Sequence, residues 1–179
     1  MRRFFMFTAV AVLAAGFGFN ARLMAADAPT AKATIEGAGD NKGKIKGTVT
    51  FTQEGNGVKV VAEIEGLKPG KHGFHIHDKA DLSAPDLSSA GGHWNPDGHK
   101  HGGPNDAEHH AGDMGNITAD ASGKAHLELM MPGITVSGDK GVVGHSVIIH
   151  ENEDDLKSQT PTPGNAGKRI AGGAITAAK

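Results

Sequence analysis

The sequence predicts an all-β fold: an eight-stranded antiparallel Greek-key β-barrel or sandwich with two long functional loops. Three observations predict it. Apolar and polar residues alternate along eight short segments, no segment shows the 3.6-residue apolar period of an amphipathic helix, and 27 of the 179 residues are glycine. Because glycine weakens helix interiors and suits turns, this excess favours short strands joined by tight turns.

The first three predicted strands lie before residue 66. Ala33 and Ile35 alternate with polar neighbours, residues 45–52 repeat the pattern, and residues 58–65 follow the turn Gly55-Asn56-Gly57. Asn-Gly between two alternating segments is a strong hairpin signal, so the second and third strands should pair. The other five strands are predicted at 72–77, 115–119, 125–130, 144–150 and 169–177.

The N-terminal segment has the layout of a secretory signal peptide. Two arginines precede an apolar stretch at 4–19, and small residues follow before polar sequence begins. The apolar stretch is shorter than the ~20 residues that a membrane-spanning helix needs. We therefore expect residues 1–26 to be a signal peptide, cleaved after Ala25 or Ala26. Residues 27–179 should then form one domain that is exported, either to the periplasm or as a secreted protein.

The composition excludes several classes of function. Lysine and arginine number 18 against 20 aspartates and glutamates, and the net charge is −2. No excess of positive charge is available for nucleic acid or for an acidic membrane, so we expect neither partner once the signal peptide is removed. Cysteine is absent, which excludes disulfides, thiolate metal sites and cysteine nucleophiles. The eleven histidines are the unusual feature.

Some of these histidines are spaced like metal ligands. Strand alternation around Phe74 and Ile76 places His75 and His77 together on one face, where two imidazoles can bind one ion. Residue His150 ends a second apolar strand. Three further histidines, His72, His126 and His145, have the pattern of ordinary surface residues.

Two segments, 78–113 and 151–168, lack strand alternation. Loops of this length in a compact domain are usually functional or disordered. The first also carries a cluster of polar ligand types, namely His93, His99, His101, His109, His110 and Asp113. Imidazoles and a carboxylate without cysteine favour Cu(II) or Zn(II). Spacing alone leaves open which loop histidines bind and whether the site holds one metal or two.

Six motifs then occur in order along the chain: GFHIH (73–77), SAGGHWNP (89–96), HGGP (101–104), HHAGDMGNITAD (109–120), VIIHENEDDL (147–156) and GNAGKRIAGG (164–173). With them, the sequence resembles the copper/zinc superoxide dismutase family over essentially all of the chain after residue 26. The resemblance implies a flattened Greek-key barrel with one copper and one zinc ion per chain. It also implies dismutation of the superoxide anion to oxygen and hydrogen peroxide by a redox-cycling copper, bridged through a histidine to a structural zinc.

The resemblance assigns a role to each motif residue. It implies copper ligands at His75, His77, His93 and His150, and zinc ligands at His93, His101, His110 and Asp113. His93 would bridge both metals and take part in catalysis, and His99 and His109 become neighbours of the ligands. Asp154 would link a copper ligand to a zinc ligand, and Arg169 would guide the anion to copper.

One departure from the family concerns its usual disulfide. The matching positions hold Leu87 and Gly172, so packing of the leucine over the glycine is the expected substitute. Zinc should also supply folding energy. Family members include monomers and dimers, so a homodimer is an open expectation. The competing hypothesis is an exported protein that buffers or delivers copper and zinc without turnover, against which Arg169 argues because metal storage does not require it.

Overall fold

The computed structural model of the protein describes residues 28–159 and 162–178. Within them the strands are β1 (Thr30–Gly37), β2 (Lys46–Glu54), β3 (Gly57–Glu65), β4 (Gly70–His77), β5 (Asp113–Ala119), β6 (Lys124–Pro132), β7 (Ser146–His150) and β8 (Arg169–Ala177). Single-turn 3-10 helices lie at Gly39–Asn41, Ser88–Ala90 and Pro163–Asn165. The predicted signal peptide, 1–26, lies outside the described residues. No helix among those described is long and apolar enough to cross a membrane.

The eight strands close into one antiparallel barrel in the order β1-β2-β3-β6-β5-β4-β7-β8. Consecutive strands β4, β5 and β6 are neighbours, while β3 lies beside β6 and β7 beside β4, which is the Greek-key arrangement. The predicted hairpin is present, with β2 and β3 paired from Lys46–Glu65 to Glu54–Gly57. Gly55 in its turn has a φ of 58°, which suits glycine. The predicted fold class is confirmed.

Strand ends differ from the prediction by two residues at five places, two of which are the ends of β2 at Glu54 and of β6 at Pro132. β4 and β5 begin at Gly70 and Asp113, two residues earlier than expected, because they pair with each other over this extra length. β7 begins at Ser146, two residues later than expected. Gly144 has a φ of 95°, which ends the extended conformation there and turns the chain into the strand.

Apolar side chains fill the barrel because each strand turns alternate residues inward. Phe51 of β2 and Phe74 of β4 are fully buried among aliphatic side chains. Ile76 joins Phe74 in this core, so His75 and His77 project from the outer face of β4, as the alternation predicts. That outer face is not solvated, since both histidines are buried. The long loops cover it.

The first long loop, residues 78–112, returns to the end of β4 before it enters β5. The amide of Trp94 donates to the carbonyl of Ile76 at 2.9 Å, and the amide of Ile76 donates to the carbonyl of Gly112 at 2.8 Å. A Cβ at Gly112 would lie 2.3 Å from the Ile76 oxygen, so only glycine allows this approach. The return places His93 in a β-bridge with the last residue of β4.

A small apolar cluster fastens the same loop to the barrel. Leu87 and Ala90 pack against Ile148, which lies outside the main core while its neighbours in β7 face inward. A Cβ built on Gly172 of β8 would lie 3.2 Å from Cδ1 of Leu87. The expected contact of Leu87 with Gly172 is therefore present. These are the two positions at which the resemblance implies a disulfide in the family.

The prediction of a surface position for His72 is wrong. His72 is only 3% exposed, and both of its ring nitrogens lie near main-chain carbonyls. Nδ1 is 2.8 Å from the oxygen of His150, and Nε2 is 2.9 Å from the oxygen of Lys68. Each nitrogen faces a carbonyl oxygen, so whichever of the two carries the proton has an acceptor inside the fold. By contrast, His126 lies on the exposed face of β6, where it pairs with Glu63.

Candidate metal centre

The predicted ligands come from β4, the first long loop, the start of β5 and the end of β7, and they meet on the outer face of the barrel. They form two groups of four. In each group, one donor atom from every residue lies within 4.8 Å of the others. The four-histidine group comprises His75, His77, His93 and His150, and the mixed group comprises His93, His101, His110 and Asp113. His93 belongs to both.

Three members of the four-histidine group each have one ring nitrogen held by an oxygen. The pairs are His75 Nε2 with Asp154 Oδ2 at 2.6 Å, His77 Nδ1 with Gly91 O at 3.0 Å, and His150 Nδ1 with Gly167 O at 3.2 Å. Because these oxygens can only accept, the held nitrogens carry the proton. The other nitrogen of each ring therefore presents a lone pair to the group.

His93 lies between the two groups. Its ring stacks on that of His75 with centroids 4.0 Å apart, and its centroid is 5.0 Å from that of His77. Its Nδ1 lies 2.8 Å from Oδ1 of Asp113. Nδ1 therefore faces the mixed group, and Nε2, on a different edge of the ring, is the nitrogen that His93 can offer to the four-histidine group.

Asp113 organises the mixed group from the first position of β5. Its Oδ2 accepts hydrogen bonds from the amides of His110 at 2.8 Å and Gly102 at 3.2 Å, which fixes the carboxylate against the loop. The same oxygen lies 2.9 Å from Nδ1 of His101. The pairing of β4 with β5 shifts register next to this position, and such bulges redirect side chains near functional sites.

Several buried donor atoms of the four-histidine group have no proton to share. Among the described residues, Nδ1 of His75 is buried without a hydrogen-bond partner, while its Nε2 carries the proton. Nε2 of His77 lies 3.4 Å from Nε2 of His150, although Nδ1 of each ring already holds its proton. Converging lone pairs in a buried site are stabilised by a cation. Four nitrogens suit Cu(II), and three nitrogens with a carboxylate suit Zn(II), so the donors fit both metals.

The protonation of the two groups differs. Burial, followed by the neighbouring histidines, lowers the pKa of His77 and of His150 well below the usual 6.5. Burial and the neighbouring His75 lower the pKa of His93 to about 4, against the opposing effect of its carboxylate partner. These imidazoles are neutral at pH 7 and free to bind a metal. In His101 burial is outweighed by hydrogen bonds to two carboxylates, which raise its pKa to about 9.

Asp154 links the two groups from the second long loop. Its Oδ2 accepts from His75 and its Oδ1 lies 3.0 Å from Nε2 of His101. Burial opposes its ionisation, but hydrogen bonds from His101 and His75 hold the pKa of Asp154 well below its usual 3.8. The side chain of Asn116 fixes the main chain of Asp154, accepting from its amide at 2.7 Å and donating to its carbonyl at 2.9 Å. The carboxylate is thus held between both groups.

Arg169 is the first residue of β8 and lies beside the four-histidine group. Its guanidinium donates to the carbonyl of Leu87 at 2.5 Å and to that of Gly91 at 2.6 Å. The carbonyl of Gly91 also accepts from His77, so a single carbonyl connects the arginine to a member of the group. Two of the five guanidinium N–H groups are used in this way, which leaves others for an anion.

A comparison with known protein families shows to which family the chain belongs. A profile described as copper/zinc superoxide dismutase (SODC) matches residues 45–175, well over half of the chain. The chain belongs to the copper/zinc superoxide dismutase family. The predicted enzyme class, an oxidoreductase acting on superoxide with copper and zinc as cofactors, is therefore confirmed.

Individual relatives of this dismutase support its assignment to the family. It is 46% identical over 138 residues to the extracellular superoxide dismutase [Cu-Zn] of Drosophila melanogaster, covering 74% of this chain and 76% of the relative. It is 42% identical over 143 residues to the superoxide dismutase [Cu-Zn] of Paramecium bursaria Chlorella virus 1, covering 77% and 76%. The crystal structure of the clock protein EA4 is similar, with a TM-score of 0.75 and 40% identity over 84% of this chain and 96% of that one.

The structure brings all seven predicted ligands of this dismutase into the two groups and leaves His99 and His109 outside them. Both of these histidines line a neighbouring cavity of about 180 Å³. Sequence reasoning missed Asn116 and Gln159, whose side chains hold the main chain of Asp154 and of His101. Asn116 lies within the motif HHAGDMGNITAD (109–120), whereas Gln159 has no signal in its local sequence.

Proposed function

We propose that the four-histidine group holds copper, that the mixed group holds zinc, and that His93 is a ligand of both in the dismutation of superoxide. The observation that carries this proposal is the membership of His93 in two groups of four donors. Zinc commonly takes four ligands in closed sites, with a carboxylate among them in some. The carboxylate of Asp113 therefore favours zinc in the mixed group, and copper suits the imidazoles of the other.

When bound, copper supplies the one-electron steps by which one superoxide is oxidised to oxygen and a second, with two protons, is reduced to hydrogen peroxide, while zinc supplies a fixed charge without redox chemistry. His93 would hold and release one of these protons at Nε2, the nitrogen that it can offer to the four-histidine group. Its Nδ1 stays on the side of Asp113, so the ring keeps its position while Nε2 changes protonation. Carbonyls and Asp154 hold the other rings in fixed orientations.

Arg169 would receive the substrate anion. A guanidinium stays charged at all physiological pH values and presents N–H groups in a rigid plane, which suits a small diatomic anion. The carbonyls of Leu87 and Gly91 hold it beside the four-histidine group. Since the net charge of the chain is −2, this local positive charge, rather than the overall charge, would attract superoxide.

We also propose that the enzyme works outside the cytoplasm, with residues 1–26 as a signal peptide and 27–179 as the mature domain. The predicted export segment supports this, and so does the extracellular relative from Drosophila melanogaster. The choice between the periplasm and secretion into the medium is decided by fractionation of the producing cell. Homodimer formation stays a prediction, tested by sedimentation of the loaded protein.

The experiment that tests the function is superoxide dismutation by the mature chain, loaded with one copper and one zinc and checked for metal content. We expect fast turnover proportional to copper. The same chain loaded with zinc alone is the control, and it should be inactive. Full loading without turnover would instead support the protein that buffers or delivers metals.

A further inference from the structure

Gln159, in the second long loop, makes an unusual set of contacts with the predicted zinc ligand His101. Its Oε1 accepts from the amide of His101 at 2.8 Å, and its Nε2 donates to the carbonyl of His101 at 2.9 Å. Nε2 also donates to the carbonyl of Lys157 at 2.7 Å. The carboxamide therefore uses both of its donors and its acceptor, and their partners fix which atom is nitrogen.

Through these contacts the second long loop binds both the ring and the main chain of His101. Asp154 of the same loop engages Nε2 of the ring, while Gln159 engages both main-chain groups. Within the described residues these main-chain groups have no other hydrogen-bond partner. The remaining polar atom of His101 is Nδ1, which lies 2.9 Å from Oδ2 of Asp113 in the mixed group.

We infer that Gln159 is a positioning residue for zinc: it fixes the backbone of His101 and so holds Nδ1 in the mixed group. The inference rests on the proposed zinc-binding role of that group. Two segments 58 residues apart are joined at this point, in a chain that has no disulfide. Asn116 makes the same reciprocal pairing with Asp154, so carboxamide side chains fasten both Asp154 and its partner His101.

The release of zinc is the property that this arrangement controls. A site with four ligands would hold its ion less tightly once one ligand moves away, and His101 would move most easily if its main chain were unfastened. Because a lost side-chain hydrogen bond changes an equilibrium up to about tenfold and Gln159 makes two to His101, we expect zinc to leave the Gln159→Ala variant about 10- to 100-fold faster. The Gln159→Glu variant should release it at least as fast, since a carboxylate cannot donate to the carbonyls of His101 and Lys157.

Gln53 provides a matched control, because its hydrogen-bond partners lie outside the metal groups. Its Oε1 accepts from the amide of Val136, and its Nε2 donates to the carbonyls of Gly55 and Gly57. The Gln53→Ala variant thus loses the same number and kind of hydrogen bonds at the β2–β3 hairpin. A merely structural loss of stability would appear in this variant too.

The test measures transfer of zinc from the copper- and zinc-loaded protein to a chromogenic chelator, with the visible spectrum of Co(II) in the mixed group as a second readout. We expect faster release and an altered Co(II) spectrum in Gln159→Ala, and wild-type behaviour in Gln53→Ala. Wild-type zinc release and spectra in Gln159→Ala, or equally accelerated zinc release in Gln53→Ala, would overturn this inference but not the proposed function. A wild-type chain that binds no zinc would overturn the proposed function together with it.

Discussion

The apolar contact of Leu87 with the barrel should contribute measurably to stability. Leu87 is 7% exposed and packs against Ile148, with Gly172 beneath it. The substitution Leu87→Ala removes three buried carbon atoms, which at about 0.8 kcal/mol each give about 2.4 kcal/mol. The cavity adds little at this position because it lies near the surface, where the loop can collapse into it. We expect a loss of about 2–3 kcal/mol in the free energy of unfolding.

Equilibrium unfolding in urea, with the metal-free protein, measures this loss. Leu156→Ala is the matched control: Leu156 has a φ of 60°, close to the 59° of Leu87, but is 36% exposed. The two substitutions share any backbone effect of the left-handed conformation, so their difference reports side-chain burial. A loss below about 0.5 kcal/mol for Leu87→Ala, or one equal to that of the control, would refute the role of this contact.

Four further predictions follow from the metal groups. Asp154→Asn should weaken zinc binding about 10- to 100-fold in competition with a chelator, because an amide cannot accept from both His75 and His101; wild-type affinity would contradict this. Removal of zinc should lower the melting temperature and expose the loop at 78–112 to protease, whereas equal digestion of both forms would argue against it. Arg169→Ala should lower activity severalfold at low ionic strength while copper content is unchanged; full activity would exclude steering. The pKa of His101 is raised to about 9, so its proton competes with zinc below that pH. Calorimetry of zinc binding in two buffers should show about one proton released per zinc at pH 7 and fewer above pH 9. A number of released protons that does not depend on pH would contradict this.

Local sequence was sufficient where a feature depends on one strand. The alternation of Phe74 and Ile76 with His75 and His77 predicted both the inward and the outward face of β4, and the structure has the same division. The hairpin of β2 and β3 was predictable for the same reason, since its turn residues lie between its strands. The periodicity of a strand survives in the fold because one face must pack into the core.

Features that depend on contacts between distant segments could not be predicted from spacing. His93 reaches β4 because Gly112 lets the returning chain approach closely, a requirement that a loop sequence does not reveal. The burial of His72 could not be predicted, because the two carbonyls beside its ring belong to residues 68 and 150. Spacing alone does not show whether His101 and His110 or their neighbours are the zinc ligands. The family resemblance was needed to predict His101 and His110.

The most direct test of the shared histidine is anomalous X-ray diffraction from crystals of the loaded protein, measured at the copper and zinc absorption edges. We predict two peaks on opposite sides of the His93 ring, copper among His75, His77 and His150, and zinc beside His101 and Asp113. One peak, or two peaks of which either lies away from His93, would contradict the bridged centre on which the proposed mechanism rests.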